Sequence, residues 1–441
     1  MSSRLAFILA AAGSAVGLGN IWKFPYITGL NGGGAFVLIY LMCIAAVGVP
    51  IFLAELFIGQ RSQRNVVEAF EVTHRPGTPW RLPGWLGLAS AFLILSFYSV
   101  VGGWVLDFEY RSLTNQFAGH SDEEIKAVLG GLFQSPGRQL FWHALFMGAV
   151  VAIVSKGLNA GIERWNKILM PALFVLLGLL LVRALFLPGI GRALEFLFAP
   201  NAEALKPAGV LEAVGHSFFT LSLGMGALIT YGSYLQSREE LVRTAFTVAL
   251  LDTVIALVAG VIIFSVVFSF GLDAGAGPTL MFQTLPMLFT KMTGGYFISV
   301  AFFLLVAFAA LTSGVSLLEV IVTYWVETHR KSRTGTTLVA GGIIYGLGIL
   351  SALSTNLLSG VKLGDKTFFD FIDKLTSSVF LPVGGMLISL FFGWVLGPKA
   401  AEAVAGKGRY AHVAALGLMW SARVVAPLAV AVVLVHGLRD W

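Results

Sequence analysis

The chain has 441 residues, of which 57% are hydrophobic and 12% are charged, and its formal net charge is +6. Soluble globular proteins contain about 45–50% apolar and about 25% charged residues, so this composition excludes a soluble enzyme carried on a membrane anchor. The basic residues are scattered along the chain, which excludes a disordered or nucleic-acid-binding protein. The roughly 250 apolar residues are enough for about eleven or twelve membrane-spanning helices.

Eleven apolar segments separated by polar residues are predicted to span the membrane. They cover residues 5–27, 34–60, 84–110, 139–155, 166–187, 210–236, 243–271, 294–326, 336–354, 368–396 and 410–437. Residues 111–138 are polar and predict a surface helix, whereas the glycines and prolines of residues 272–293 predict a re-entrant or capping loop. The segment after Arg4 also resembles a secretory signal peptide. The unusual sequence GLGNIWKFP beyond the supposed cleavage site favours a retained first span.

Loop charge predicts the orientation of these spans. Basic residues lie in alternate loops, and the first such loop holds Arg61, Arg64, Arg75 and Arg81, while the other loops are mixed or acidic. Cytoplasmic loops carry the excess of lysine and arginine in membrane proteins. The pattern therefore predicts a multi-pass protein of the cell membrane with a cytoplasmic N-terminus. The odd number of spans places the C-terminus outside.

Glycines interrupt two of the spans, the first at residues 13–20 (GSAVGLGN) and the sixth at residues 222–226 (SLGMG). Glycine is a poor helix former and releases backbone groups easily. A broken helix in a membrane is tolerated only where it is buried in protein or lines an aqueous cavity. Tight packing of helices through small residues is the alternative interpretation.

The two breaks are five spans apart, so the broken sixth span enters the membrane from the side opposite to the first span. This is typical of an inverted five-helix repeat that holds its ligand near the midplane on broken helices. The predicted fold is therefore an all-α integral membrane protein with broken helices one and six. The first repeat covers residues 1–187, the second covers 188–396, and residues 397–441 form a cytoplasmic loop and the eleventh span.

Four segments carry a resemblance to a known family: GSAVGLGNIWKFPY at 13–26, NGGGAF at 31–36, FFTLSLGMGALITYGSY at 218–234 and ALTSGVSLLE at 310–319. The chain resembles the neurotransmitter:sodium symporter family over spans one to ten. Within the family it is most similar to the bacterial members with eleven spans. The resemblance implies sodium-coupled symport of an L-amino acid, hydrophobic or aromatic, by alternating access. It implies no enzyme activity, and the sequence lacks HExxH, GxSxG and paired intramembrane carboxylates.

The resemblance implies two sodium ions, which prefer oxygen ligands such as the carbonyls of an unwound helix. The first site would use the carbonyl of Ala15 and the side chains of Asn20, Thr220 and Asp252. The second would use the carbonyls of Gly13, Val16 and Ala309 and the hydroxyls of Thr312 and Ser313. Serine and threonine hydroxyls in membrane helices also commonly bond to their own backbone.

Asp252 lies in an apolar span, where a carboxylate is costly and is a functional candidate by default. The family usually has asparagine at this position, and many of its animal members need chloride nearby. Because a fixed negative charge can replace that anion, we predict chloride-independent transport. The alternative is a protonated aspartate that bonds to a neighbouring helix.

The resemblance places the amino acid between the two breaks. Its carboxylate would meet free N–H groups at Gly17–Gly19 and the hydroxyl of Tyr98, and its amine would meet carbonyls of the second break. Gly17 stands where amine-transporting relatives have an aspartate, which favours an amino acid over a monoamine. The predicted contact residues are Ala15, Gly17, Leu18, Gly19, Ile94, Tyr98, Val101, Phe219, Thr220, Ser222, Met225, Ser313 and Leu317.

The resemblance also implies two gates. The outer gate would pair Lys23 with Asp370, with Phe219 as a lid, and lysine lacks the bidentate geometry of the family's arginine. The inner gate would use Tyr234 and Glu327. The family's N-terminal arginine and tryptophan are missing, so the inner latch is reduced or Arg4 substitutes.

Two further polar residues lie in apolar spans. Glu55 is predicted to bond the broken sixth helix, and His216 stands where the family usually has glutamine. Three alternatives stay open from the sequence: a proton-coupled transporter, an exchanger, and a non-transporting amino-acid sensor on the same fold. A homodimer in the lipid bilayer also stays open.

Overall fold

A computed structural model describes residues 3–201, 203, 205–235, 240–275, 279–406 and 411–439. Predictions for residues 236, 276–278 and 410 lie outside the described residues. Nine helices in the described part are long and apolar enough to cross a membrane: Gly34–Ser62, Pro79–Leu113, Pro136–Ser155, Leu158–Leu185, Leu241–Ser269, Gly295–His329, Arg333–Leu353, Phe368–Leu396 and His412–Gly437.

The two remaining predicted spans are broken. The first consists of Arg4–Ala15 and Gly19–Leu30, whose axes differ by 49°. The sixth consists of Pro207–Thr220 and Ala227–Gly232, separated by a non-helical turn. The predicted fold class, an all-helical membrane protein with breaks in the first and sixth spans, is confirmed.

Shorter elements connect the spans. They are the helices Glu68–Thr73, Asp122–Phe133, Ile190–Phe198, Leu280–Thr290 and Pro398–Ala405. An antiparallel pair of two-residue strands, Lys362–Leu363 and Lys366–Thr367, precedes the tenth span. Neither this hairpin nor the helix Ile190–Phe198 is predicted by the sequence pattern.

The predicted surface helix in residues 111–138 is present as Asp122–Phe133. It begins with a capping box: the Glu124 N–H donates to Ser121 Oγ, and the Ser121 N–H donates to Glu124 Oε2 at 2.7 Å. These two bonds satisfy backbone donors that have no partner within the helix. The bond from the Ser121 N–H also favours the charged form of the Glu124 carboxyl, so the pKa of Glu124 lies below its usual value.

Burial places the broken spans at the centre of the molecule. Residues Ala10–Ala12 of the first span and Leu228–Ile229 of the sixth are fully buried. Side chains of the peripheral fifth span, such as Val175 and Leu179, are instead 62% and 61% exposed. Apolar side chains that face lipid and small residues between helices are the pattern expected in a bilayer. The two breaks therefore lie in protein, where unwound backbone is tolerated.

Candidate functional site

The first break releases the backbone of residues 13–18. Helix Arg4–Ala15 ends at Val16, whose backbone is extended (φ −73°, ψ 106°), and helix begins again at Gly19. The Ala12 carbonyl keeps the Val16 N–H as its partner, but the carbonyls that follow it leave the regular helical pattern. They point instead towards side chains of the sixth and eighth spans.

The second break is a turn formed by residues with positive φ. Gly224 and Gly226 both have φ of +76°, which glycine adopts without a steric penalty. Ser222 has φ of +55°, an uncommon conformation for a residue with a side chain. Its Oγ donates to the Ser14 carbonyl at 2.8 Å. The two breaks are therefore joined directly, by a hydroxyl of one and a carbonyl of the other.

Glu55 of the second span stabilises this turn. The Gly224 N–H donates to Glu55 Oε1 at 2.8 Å, and the Glu55 side chain is fully buried. The bond satisfies a backbone donor that unwinding would leave unpaired. The prediction that Glu55 bonds the broken sixth helix is confirmed.

One cluster of oxygens surrounds Ser313 of the eighth span. Its Oγ lies 3.4 Å from the Gly13 carbonyl, 3.3 Å from the Ser14 carbonyl and 3.4 Å from the Val16 carbonyl. A hydroxyl has one proton, so it can satisfy only one of these three acceptors at a time. The adjacent Thr312 donates to the carbonyls of Phe308 and Ala309 at 3.2 and 3.0 Å. The predicted second sodium set is thus gathered here as an oxygen-rich cluster, named the Ser313 cluster below.

A second cluster surrounds Asp252 of the seventh span and is named the Asp252 cluster. The carboxylate is fully buried and accepts from Asn20 Nδ2 at 2.7 Å and from Thr220 Oγ1 at 3.0 and 3.1 Å. Among the described residues, no basic side chain forms an ion pair with it. A buried carboxylate without a counter-ion is strongly unfavourable.

The Asn20 amide is turned with its nitrogen towards this cluster. Its Oδ1 accepts from the Gly17 N–H at 3.0 Å, on the side of the first break. The structure thus brings Asn20, Thr220 and Asp252 together as the sequence predicted. The oxygen of Asn20, which was the expected ligand atom, faces Gly17 instead.

A narrow cavity lies between the two breaks. Most of the predicted substrate contacts line it. Its lining residues are Ser14, Ala15, Gly17, Leu18, Gly19, Ile94, Tyr98, Phe219, Ser222, Met225, Ser313, Ser316 and Leu317.

The lining differs from the prediction at four positions. Val101 is buried one turn from Tyr98 and Thr220 belongs to the Asp252 cluster, so neither lines the cavity. Ser14 and Ser316 were missed, and their hydroxyls are hydrogen-bonded to each other at 3.0 Å. Ser316 lies three residues after Ser313 on the same helix face, and this spacing is the signal that could have found it.

Tyr98 presents a hydroxyl to the cavity. The hydroxyl is buried and has no hydrogen-bond partner among the described residues. A methyl group on Gly17 would stand 3.3 Å from it and 2.5 Å from Ser313 Oγ. An acceptor bound beside the first break would therefore complete the hydrogen bonding of this hydroxyl.

The outer side of the cavity differs from the predicted gate. Lys23 Nζ lies 4.6 Å from the centre of the Phe219 ring, a cation–π contact. Asp370 is exposed and accepts from Thr367 Oγ1 at 2.6 Å at the start of the tenth span. Asp373, one turn further along the same helix, is half-buried. Among the described residues no ion pair joins Lys23 to Asp370 or to Asp373, so the partner of Lys23 in the outer gate stays a prediction.

The inner side also differs. The Tyr234 hydroxyl donates to Glu319 Oε1 at 2.6 Å, and Glu319 is fully buried and paired with Arg333. Glu327 instead accepts from the Asn65 backbone N–H at 2.7 Å. Tyr234 and Glu327, predicted as one gate, thus belong to two separate networks.

His216 lies beside the Asp252 cluster. Its ring is buried between Phe24 and Tyr40, with centroid distances of 6.0 and 5.4 Å, and neither ring nitrogen has a hydrogen-bond partner among the described residues. Nothing in these contacts assigns it a function.

Comparison with known proteins gives the family. The model of the Sodium:neurotransmitter symporter family matches residues 1–128 and 129–440. The chain belongs to this family. It is a family of transporters, so the expectation that the chain is not an enzyme is confirmed.

Individual members of the symporter family agree over nearly the whole chain. The uncharacterized sodium-dependent transporter YhdH of Bacillus subtilis is 40% identical over 390 residues, which are 88% of this chain and 86% of YhdH. An uncharacterized sodium-dependent transporter of Haemophilus influenzae is 35% identical over 91% of this chain and 90% of its own. The crystal structure of MhsT in complex with L-phenylalanine has a TM-score of 0.91 and 46% identity, covering 99% of each chain.

Proposed function

We propose that this protein is a symporter that couples sodium entry to the uptake of a hydrophobic or aromatic L-amino acid. The observation that carries the proposal is the buried Asp252 carboxylate, which has no basic partner in the described part of the chain and lies beside backbone freed by a broken helix. A cation bound there would supply the missing counter-charge. The family, and the L-phenylalanine bound to MhsT at 46% identity, support the same conclusion.

The first sodium ion would bind at the Asp252 cluster with oxygens from Ala15, Asn20 and Thr220. Its arrival would require the Asn20 amide to turn by about 180°, exchanging its nitrogen and oxygen, which have nearly the same shape. The turn would also release the Gly17 N–H, to which Asn20 Oδ1 is now bonded. Ion binding at Asp252 would thus free a donor at the substrate position, which is a direct route for coupling.

The second sodium ion would bind at the Ser313 cluster. There the carbonyls of Gly13 and Val16 lie within 3.4 Å of one hydroxyl that cannot satisfy both. An ion would satisfy them together, with the Ala309 carbonyl and the Thr312 hydroxyl. The stoichiometry of two ions and the independence from chloride are parts of the proposal.

The amino acid would bind in the cavity between the breaks. Its carboxylate would accept from the Tyr98 hydroxyl and from N–H groups at Gly17–Gly19, and its side chain would lie against Ile94, Met225 and Leu317. The lining carries no carboxylate that would favour a monoamine. The substrate amine would meet carbonyls of the second break.

Alternating access would move these sites between the two sides of the cell membrane, with the N-terminus in the cytoplasm. The ions and substrate would favour closure of the outer gate, which we assign to Lys23, Phe219 and Asp373. Ligands drive such a change only through unequal affinity for the two states. The network of Tyr234, Glu319 and Arg333 would close the inner side.

Reconstituted transport tests the proposal. The purified full-length protein in liposomes would be given a panel of labelled L-amino acids under an inward sodium gradient. We expect concentrative uptake of an apolar or aromatic amino acid that is lost when choline replaces sodium and unchanged when gluconate replaces chloride. Uptake in choline driven by an inward proton gradient would support proton coupling instead. Binding without uptake would support a sensor.

A further inference from the structure

A buried amide of the fifth span faces the Ser313 cluster. Asn166 lies on helix Leu158–Leu185 and is 2% exposed. Its Nδ2 donates to the Ile162 carbonyl at 3.0 Å, one turn earlier on the same helix. This bond fixes the orientation of the amide. It leaves Oδ1 as a buried acceptor with no hydrogen-bond partner among the described residues.

The unpaired oxygen is directed at the first span beside the break. A methyl group on Gly13 would stand 2.5 Å from Asn166 Oδ1 and 3.2 Å from Thr312 Cβ. The Gly13 carbonyl and the Thr312 hydroxyl both belong to the Ser313 cluster. The oxygen of Asn166 therefore borders this cluster from a third span, in addition to the first and the eighth.

An orphaned amide oxygen in the protein interior costs free energy and calls for a partner. The Thr312 hydroxyl does not supply that partner, because it donates to carbonyls of its own helix. A weak contact with the Gly13 Cα–H is the purely structural interpretation. A hard cation in the Ser313 cluster is the stronger partner, because amide oxygens are ordinary ligands for such ions.

We propose that Asn166 Oδ1 contributes an oxygen to the second sodium site. This inference rests on the proposed function. It extends the site to the fifth span, which carries none of the sodium or substrate ligands predicted from the sequence. The ion would then hold the first, fifth and eighth spans together, and its departure would release the fifth span from the other two.

The test measures sodium binding without any amino acid. Thermal unfolding of the purified full-length protein would be followed while NaCl replaces KCl at constant ionic strength, which gives the sodium concentration for half-maximal stabilisation. We expect Asn166→Leu, which keeps the side-chain size and removes the oxygen, to raise this concentration about tenfold or more. Asn166→Asp should lower it about threefold or more, because a carboxylate adds a negative charge to the ligand set.

Gln139→Leu is the matched control. Gln139 is a buried amide, 1% exposed, whose partners Trp104 and Thr355 belong to neither cluster. Its loss should lower the melting temperature and leave the half-maximal sodium concentration unchanged. If Asn166 has only a structural role, its variants would likewise have a lower melting temperature and an unchanged half-maximal sodium concentration.

The outcomes separate this inference from the proposed function. If the wild-type protein is not stabilised by sodium over potassium, the sodium sites themselves are wrong. If it is stabilised, and a folded Asn166 variant keeps the wild-type sodium concentration for half-maximal stabilisation, the assignment of Asn166 is overturned. Because the two substitutions are expected to shift the value in opposite directions, either folded variant alone decides the question.

Discussion

The residues around Asp252 indicate which partner its carboxylate is expected to bind. The residue stands out in the sequence as a carboxylate in an apolar span, and the structure surrounds it with donors from Asn20 and Thr220 but with no base among the described residues. Hydrogen bonds to a neutral amide and a hydroxyl only partly offset the cost of burying a charge. A cation is therefore the expected partner.

Asp252→Asn should weaken sodium binding. The substitution keeps the shape and one acceptor oxygen and removes the charge. We expect the sodium concentration for half-maximal uptake to rise at least about tenfold, which corresponds to ~1.4 kcal/mol. Uptake measured against sodium concentration checks this, and a value equal to the wild type would show that the charge does not contact the ion.

Tyr98→Phe should weaken substrate binding while leaving sodium binding intact. The change removes only the hydroxyl that faces the cavity, which has no partner within the described ranges. Hydrogen bonds to charged groups contribute about 1.5–3 kcal/mol, so the substrate Kd should rise roughly ten- to a hundredfold. Equilibrium binding of the labelled amino acid measures this effect. Sodium-dependent thermal stabilisation without substrate should match the wild type, and equal substrate affinity in the two proteins would contradict the proposed pose.

Residues of the site differ in how far the sequence predicts them. Asp252 is predictable because a charge in an apolar span is costly and is rarely kept there without a function. Ser14, Ser316 and Asn166 are not, because small polar residues in membrane helices usually bond to their own backbone. Asp370 and Asp373 lie one turn apart on one helix, and only packing shows that the former is exposed.

At the scale of elements, the two breaks are the features that the sequence predicted best. Their glycines are poor helix formers, and the structure gives two of them positive φ. The hairpin before the tenth span was missed because two-residue strands leave no alternation of polar and apolar residues to detect.

Gly224→Ala should destabilise the sixth span and abolish substrate binding. Gly224 has φ of +76°, and a methyl group there would stand 2.4 Å from the Leu381 carbonyl. A left-handed residue with a side chain costs about 1–2 kcal/mol before this clash is counted.

Gly215→Ala is the control, since a methyl group at Gly215 meets no atom within 4 Å. We expect the melting temperature and amino-acid binding to fall in the first variant only. Equal behaviour of the two variants would mean that the turn at Gly224 is not required.

At the scale of the whole molecule, the gates decide how binding becomes transport. The inverted repeat and the family predict that gates lie on both sides of the cavity, but not which side chains meet. The Lys23 ammonium lies over Phe219, and we propose Asp373, half-buried at the start of the tenth span, as its partner in the closed state. A charge pair here would strengthen when closure excludes water.

Asp373→Asn and Asp370→Asn form a matched pair for this gate. Asp373→Asn should reduce the rate of sodium-driven uptake at least about tenfold while equilibrium binding of the amino acid changes less, because the pair stabilises the closed state more than the open one. Asp370→Asn removes an exposed carboxylate and should retain most of the uptake. If Asp370→Asn reduced the uptake rate more than Asp373→Asn, Asp370 and not Asp373 would be the gate residue.

Coupling between sodium and the amino acid is the central claim, and linkage tests it most directly. The measurement is equilibrium binding of the labelled amino acid with the largest sodium-driven uptake, at increasing sodium, with potassium holding ionic strength constant. We expect no measurable binding in potassium alone. In sodium, Kd should fall as the sodium concentration rises, and a plot of log Kd against log sodium concentration should have a slope of magnitude between about one and two, because each ion that binds with the substrate adds one to it. The same Kd in sodium and in potassium would contradict the central claim.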